Sequence, residues 1–108
     1  LSVYDYLTAD IILRALKYAY GNEVLFDALY SHLPQSGISG TMQNRTKGTA
    51  AYKKVRAKTG TVKGVCTLAG YAQTADGHLC AFVMLNGGLQ KASTVRKWQD
   101  RVLEAICR

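Results

Sequence analysis

The chain has 108 residues, 48% of them hydrophobic and 19% charged, with a formal charge of +7. That suits one modest domain with a packed core and excludes a disordered chain. No apolar run approaches the roughly 20 residues that cross a bilayer, and no cationic, apolar leader opens the sequence. Residue 1 is Leu, so the chain reads as trimmed, and the missing leader is silent on where a parent protein resides.

The charge is unevenly placed. Between Asp27 and Asp76 there is no acidic residue, while Arg45, Lys47, Lys53, Lys54, Arg56, Lys58 and Lys63 fall in that interval. Such a stretch makes a positive field that favours an anionic partner: nucleic acid, an acidic cell-surface polymer or a small carboxylate. A solvated basic face balanced by acids elsewhere is the plainer alternative.

In chain order, Thr8 reads as an N-cap, and Ile12, Leu16 and Ala19 mark one helical face behind it. Gly21-Asn22 ends this helix and begins a second, lined by Val24, Leu25, Ala28, Leu29 and Leu33 and closed by Pro34. Tyr18, Tyr20 and Tyr30 read as packing or interface residues. Residues 35–52 are rich in Gly, Ser and Thr and form a long connection, a common home for function, with a short helical turn expected around Thr41 to Arg45.

Three strands are predicted next. Residues 54–61 alternate, residues 65–73 form a second run, and Ala75-Asp76-Gly77 signals a hairpin turn. Residues 78–86 are apolar on both faces, as expected of a covered central strand. A final amphipathic helix runs from about Ser93 to Cys107, with Val95, Trp98, Val102, Leu103 and Ile106 on its apolar face. The fold class is α+β: a helical hairpin, a three-stranded antiparallel sheet segment and a C-terminal amphipathic helix.

Several chemistries are excluded by residue count and spacing. Cys66, Cys80 and Cys107 are too few and too scattered for a zinc site and read as small hydrophobes. With a two-residue turn, Cys66 and Cys80 would face opposite ways and could not bond. His32 and His78 lie far apart, with no acid partner in view. No G-x-S-x-G elbow, no G-x-x-x-x-G-K-[ST] phosphate loop and no pair of carboxylates is present.

What remains is Lys58-Thr59-Gly60-Thr61, which closes a strand and precedes a turn. A lysine on an edge strand can serve only to discourage aggregation. Followed by two more strands and an amphipathic helix, however, K-T-G matches the third active-site motif of the serine enzymes that react with penicillin. A lysine ammonium there supplies positive potential for a carboxylate and assists proton movement. A threonine hydroxyl binds the carboxylate, and glycine lets a carbonyl approach the backbone. The strand edge takes an extended peptide and offers an N–H to an oxyanion.

The stretches S-G-I-S-G-T-M-Q-N-R-T-K-G-T and V-R-A-K-T-G-T-V-K-G-V-C-T-L-A-G-Y-A-Q-T-A-D-G resemble the C-terminal section of the D-alanyl-D-alanine carboxypeptidase/endopeptidase family, the class C low-molecular-mass penicillin-binding proteins. The resemblance covers essentially the whole chain and is most specific over residues 37–77. It implies that residues 1–108 are the C-terminal portion of a penicillin-binding, β-lactamase/transpeptidase-like catalytic domain. It makes Lys58 the K-T-G lysine and Thr59, Gly60 and Thr61 the substrate-carboxylate and oxyanion wall, Thr61 through its backbone N–H. Ser2 would be the serine of the S-x-N motif, although Tyr4 stands where asparagine is expected. No serine of the chain has a lysine three residues later, so the S-x-x-K nucleophile and base would come from an upstream part of the same protein, and these residues alone would be inactive.

The implied partners are peptidoglycan D-Ala-D-Ala peptides and, for the parent, β-lactams; the resemblance implies no metal or organic cofactor; the implied location is periplasmic or otherwise extracytoplasmic; nucleic acid is not expected. Two other readings stand beside this one. A small basic nucleic-acid-binding module would explain Arg45 to Lys63, but only Tyr71 and Phe82 are available on the strands to stack on bases. A catalytically degenerate scaffold of the same family would explain the missing asparagine.

Overall fold

The computed structural model describes residues 8–62, 64–87 and 91–108. Helix α1 spans Ala9–Tyr20 and helix α2 spans Glu23–His32. Both begin where a side chain accepts an otherwise unpaired N–H of the first turn. Thr8 Oγ1 accepts from the Ile11 amide at 3.2 Å, and Asn22 Oδ1 accepts from the Leu25 amide at 3.1 Å. A 3₁₀ turn follows at Gly40–Met42, then strands β1 (Val55–Val62), β2 (Val65–Gln73) and β3 (Leu79–Asn86), and helix α3 (Ala92–Cys107).

The sheet is antiparallel in the order β1-β2-β3. Pairing places Lys58 opposite Ala69, Thr59 opposite Leu68, Leu68 opposite Met84 and Ala72 opposite Cys80. One sheet face carries Val55, Ala57, Leu68, Ala72, Phe82 and Met84, which bury against Leu103 and Cys107 of α3 and against Met42 and Ala51 of the preceding loop. The other face packs on the helical hairpin, and Tyr71 sends its hydroxyl to the Leu16 carbonyl at 2.6 Å. Gly70 marks a close approach of β1 and β2: a Cβ there would lie 2.1 Å from the Arg56 carbonyl oxygen.

The structure corrects four details of the sequence reading. First, β2 is the central strand of the described sheet and β3 an outer one. The apolar faces of β3 reflect helices packed above and below, not strands on both sides. Second, the hairpin loop is longer than two residues, running from Thr74 to His78, and this changes the strand parity. Cys66 and Cys80 therefore share a face, but they sit six residues apart along the sheet, about 20 Å. All three cysteines are free.

Third, α3 buries Gln99 at 2% exposure where Trp98 was expected, and leaves Trp98 51% exposed. Gln99 can go inside because its amide has buried and half-buried partners, described below. Fourth, α2 has no fully buried side chain. Phe26, Leu29, Tyr30 and Leu33 are half-buried, whereas Val24, Leu25 and Ala28 face solvent. Helix α2 turns Phe26 and Tyr30 toward Tyr71 and Arg56 of the sheet, so Val24, Leu25 and Ala28 fall on its open side.

Candidate active site

The site is set by how the loop between α2 and β1 meets the strand. Pro34 to Ser36 runs along the outer edge of β1. The Ala57 amide donates to the Pro34 carbonyl at 3.0 Å, the Ser36 amide donates to the Val55 carbonyl at 2.9 Å, and Gln35 forms an antiparallel bridge with Arg56. Ser36 is buried and ties the two ends of the loop together: its hydroxyl donates to the Ala51 carbonyl at 2.7 Å and accepts from the Val55 amide at 3.2 Å. What the sequence shows only as a polar connection is thus a set of turns that covers a strand edge.

Backbone groups in an antiparallel strand point alternately to one side and the other. Val55 and Ala57 turn theirs outward to the loop, while Lys54 turns its carbonyl inward to the Gln73 amide at 2.8 Å. By the same alternation, Thr59 and Thr61 are the next residues whose N–H and C=O point outward. The loop stops short of them. Beyond Ala57 the outer edge of β1 has no backbone partner among the described residues. Lys58 projects its side chain from the opposite sheet face but curls back, and its ammonium donates to the Thr59 carbonyl at that open edge.

The Thr59 and Thr61 side chains share the α3-side face with Val55 and Ala57. They open onto a cavity of about 300 Å³ that Thr41, Gly60, Thr67, Arg45, Arg96 and Gln99 also line. Gly60 is tight on its own account: a Cβ would come 2.7 Å from Thr67 Oγ1 across the strand pair. Thr41, on the 3₁₀ turn, stands 2.9 Å from Thr59, oxygen to oxygen.

The floor of this cavity is a polar plug between the loop and α3. Arg45 is buried, with Nη2 2.7 Å and Nε 2.8 Å from Asp100 Oδ1. It also donates to Gln99 Oε1 at 3.1 Å and to the Arg96 carbonyl at 3.2 Å. Gln99 passes its own amide N–H to Asn86 Oδ1 at 2.9 Å. Every member is satisfied, which is the condition under which a buried polar network rigidifies a fold. Arg45 is neutralised by Asp100. Arg96 has no acidic partner among the described residues, so it adds positive charge to the cavity.

Of the residues singled out from sequence, Lys58, Thr59, Gly60 and Thr61 come together at the open edge. Ser2 lies outside the described residues. Sequence reasoning assigned no role to Thr41, Arg96 or Gln99. Thr41 stood inside a quoted motif, but no spacing rule connects it to a strand eighteen residues on.

The histidines stay apart from the site, with one correction. His78 does have an acid partner, Asp76, at 3.0 Å on the exposed hairpin loop. The Thr74 hydroxyl, with the residue-78 backbone, holds the Asp76 carboxyl below its ordinary range. His32 places Nδ1 2.7 Å from the Ala28 carbonyl oxygen at the end of α2.

Much of the basic stretch is used internally. Arg56 lies 5.0 Å over the Tyr30 ring and donates to the Tyr30 carbonyl at 3.3 Å, while Lys53 lies over Tyr52. Tyr71 and Phe82 are buried and present no ring to a base. A nucleic-acid surface is therefore not favoured.

Comparison with known proteins places this geometry. Residues 1–105 match the model of the D-Ala-D-Ala carboxypeptidase 3 (S13) family. The chain belongs to that family. It is 39% identical over 87 residues to a D-alanyl-D-alanine carboxypeptidase of Actinomadura sp. (strain R39), an alignment covering 76% of this chain and 16% of that enzyme. Among solved structures it resembles penicillin binding protein 4 from Haemophilus influenzae, with a TM-score of 0.75 and 27% identity, over 94% of this chain and 24% of the other. The same protein complexed with a β-lactam matches at 28% identity and the same TM-score, covering 94% of this chain and 26% of that one. The chain thus spans about a sixth to a quarter of the length of the carboxypeptidases and penicillin-binding proteins it matches. Among the described residues, no helix is long and apolar enough to cross a membrane.

Proposed function

We propose that this chain forms the K-T-G wall of the active site of a serine D-Ala-D-Ala carboxypeptidase/endopeptidase acting on peptidoglycan stem peptides outside the cytoplasmic membrane, in the periplasm where the cell has one. The observation that carries the reading is the half-covered strand. The loop seals the edge of β1 up to Ala57 and leaves it open from Lys58, so the motif begins where an extended peptide can first pair with the sheet.

Each residue then has a task set by its position. The outward Thr59 and Thr61 backbone groups pair with the peptide. The Thr61 N–H is aimed at the carbonyl under attack and stabilises its oxyanion. The Thr59 and Thr61 hydroxyls, in the field of Arg96, hold the terminal carboxylate. Lys58, with its ammonium at the edge, raises the local positive potential and serves proton movement between the nucleophile and the leaving amine. Gly60 keeps the strand pair close at the reacting centre.

The nucleophile is the serine of an S-x-x-K segment upstream of these residues in the parent protein, and Ser2 is the serine of the second motif. That serine attacks the D-Ala-D-Ala carbonyl, D-alanine or a cross-linking peptide leaves, and water hydrolyses the acyl-enzyme. A β-lactam acylates the same serine and is released slowly.

The test is intact mass after exposure to a penicillin, on this chain and on the full-length parent in parallel. The parent should gain one penicillin and the chain none. Lys58→Ala in the parent should slow acylation by about 100-fold or more, the scale of losing a positioned proton-transfer group. No adduct on the parent would instead support a scaffold that has lost catalysis.

A further inference from the structure

We infer that Thr41 is a positioning residue that makes the site selective for a carboxylate, by fixing the direction of the Thr59 proton. This rests on the reading of Thr59 as a ligand of the substrate's terminal carboxylate. Thr41 itself carries no part of the K-T-G motif.

Two observations carry the inference. Thr41 is held independently of Thr59. Its neighbour Met42 is fully buried in the core. The Met42 carbonyl accepts from the Gly37 amide at 2.9 Å and the Arg45 amide at 3.1 Å, and Arg45 is in turn clamped to α3. The Thr41 hydroxyl is therefore presented from a fixed turn, 2.9 Å from Thr59 Oγ1 and on the wall of the same cavity.

The second observation is chemical. Each hydroxyl has one proton and can accept two hydrogen bonds. On the geometry of the two oxygens alone, the proton between them can belong to either residue. A carboxylate is an acceptor only. When it arrives, Thr59 must turn its proton to the anion, and Thr41 must then donate to Thr59. The result is a one-way chain from Thr41 to Thr59 to carboxylate, in which each bond polarises the next. A neutral ester accepts the same proton through a weaker, uncharged bond, so it gains less from this order.

The experiment uses the full-length parent carrying Thr41→Val or Thr41→Ser, with acylation rates measured for benzylpenicillin and for its methyl ester. Valine keeps the shape and removes the proton; serine keeps the proton. Thr41→Val should slow acylation by benzylpenicillin about fivefold, the worth of one ordinary hydrogen bond, and change the ester's rate less than twofold. Thr41→Ser should restore the wild-type rate with the acid. Equal slowing with acid and ester would overturn the inference in favour of a structural role, and so would no slowing with either. Failure of the underlying reading shows differently: the unmodified parent would not be acylated, or Thr59→Val would leave its rate with the acid unchanged, and the inference would fall with it.

Discussion

Under helix α3, one face of the sheet is out of reach of water: Val55, Ala57 and Leu68 of the strands and Leu103 of the helix are fully buried. The helical hairpin covers the other face with rings. Phe26 meets Tyr71 edge-on at 5.2 Å and stacks on Tyr30 at 5.0 Å, yet Val24 on the same helix is 81% exposed. The Thr59 and Thr61 side chains lie on the α3 side. The hydroxyls of the site thus rise from the closely packed face, and the Lys58 side chain is rooted on the thinner one.

The largest expected effect that would break this contrast is in the core. Leu103→Ala should destabilise by about 3 kcal/mol, whereas Val24→Ala should stay within about 0.5 kcal/mol, both read from urea denaturation. Similar losses at the two sites would mean that the faces are equally packed. Next comes the plug. Arg45→Met leaves Asp100 without its partner, and because Asp100 is only partly buried, the loss should be about 2 kcal/mol. Adding Asp100→Leu should recover part of it, which a double-mutant cycle measures.

On the hairpin side, Tyr71→Phe removes one hydrogen bond to Leu16 and should lose about 1 kcal/mol. The smallest effect is a pH dependence. Burial pushes the Cys107 thiol above its ordinary value, with Cys80 adding slightly and Lys54 opposing. The unfolded chain then gives up this proton first, so the contribution is intact below the ordinary thiol value and is lost as pH rises toward the folded one. The urea midpoint should fall from about pH 8 upward, and Cys107→Ala should flatten that slope.

Local signals in the sequence were legible to different depths. Thr8 and Asn22 announced both helix starts because a cap is a contact within one turn. Three strands and a last helix followed from period and punctuation. Register did not, since a five-residue hairpin loop and a two-residue one look alike from Ala75-Asp76-Gly77 and differ in which face every later residue takes. Hydrophobicity and helical spacing put Trp98 on the core face and leave Gln99 out of it. That placement fails because Arg45 and Asn86, far away in sequence, pair the glutamine amide. At the site, the K-T-G run was visible, but the loop that covers half its strand was not, because Gly, Ser and Thr promise turns without saying what the turns lie against.

The Arg45–Asp100 contact joins residues 55 positions apart and encloses the whole sheet between them. Closing a loop of that length costs more chain entropy than closing the short β2–β3 hairpin. During synthesis the 3₁₀ turn bearing Thr41 therefore waits for α3, even though its own residues emerge much earlier. A ribosome-bound chain stopped before Asp100 would hold the K-T-G strand without the clamp that sets its neighbour, so this part of the cavity is completed only when the end of these residues has been made.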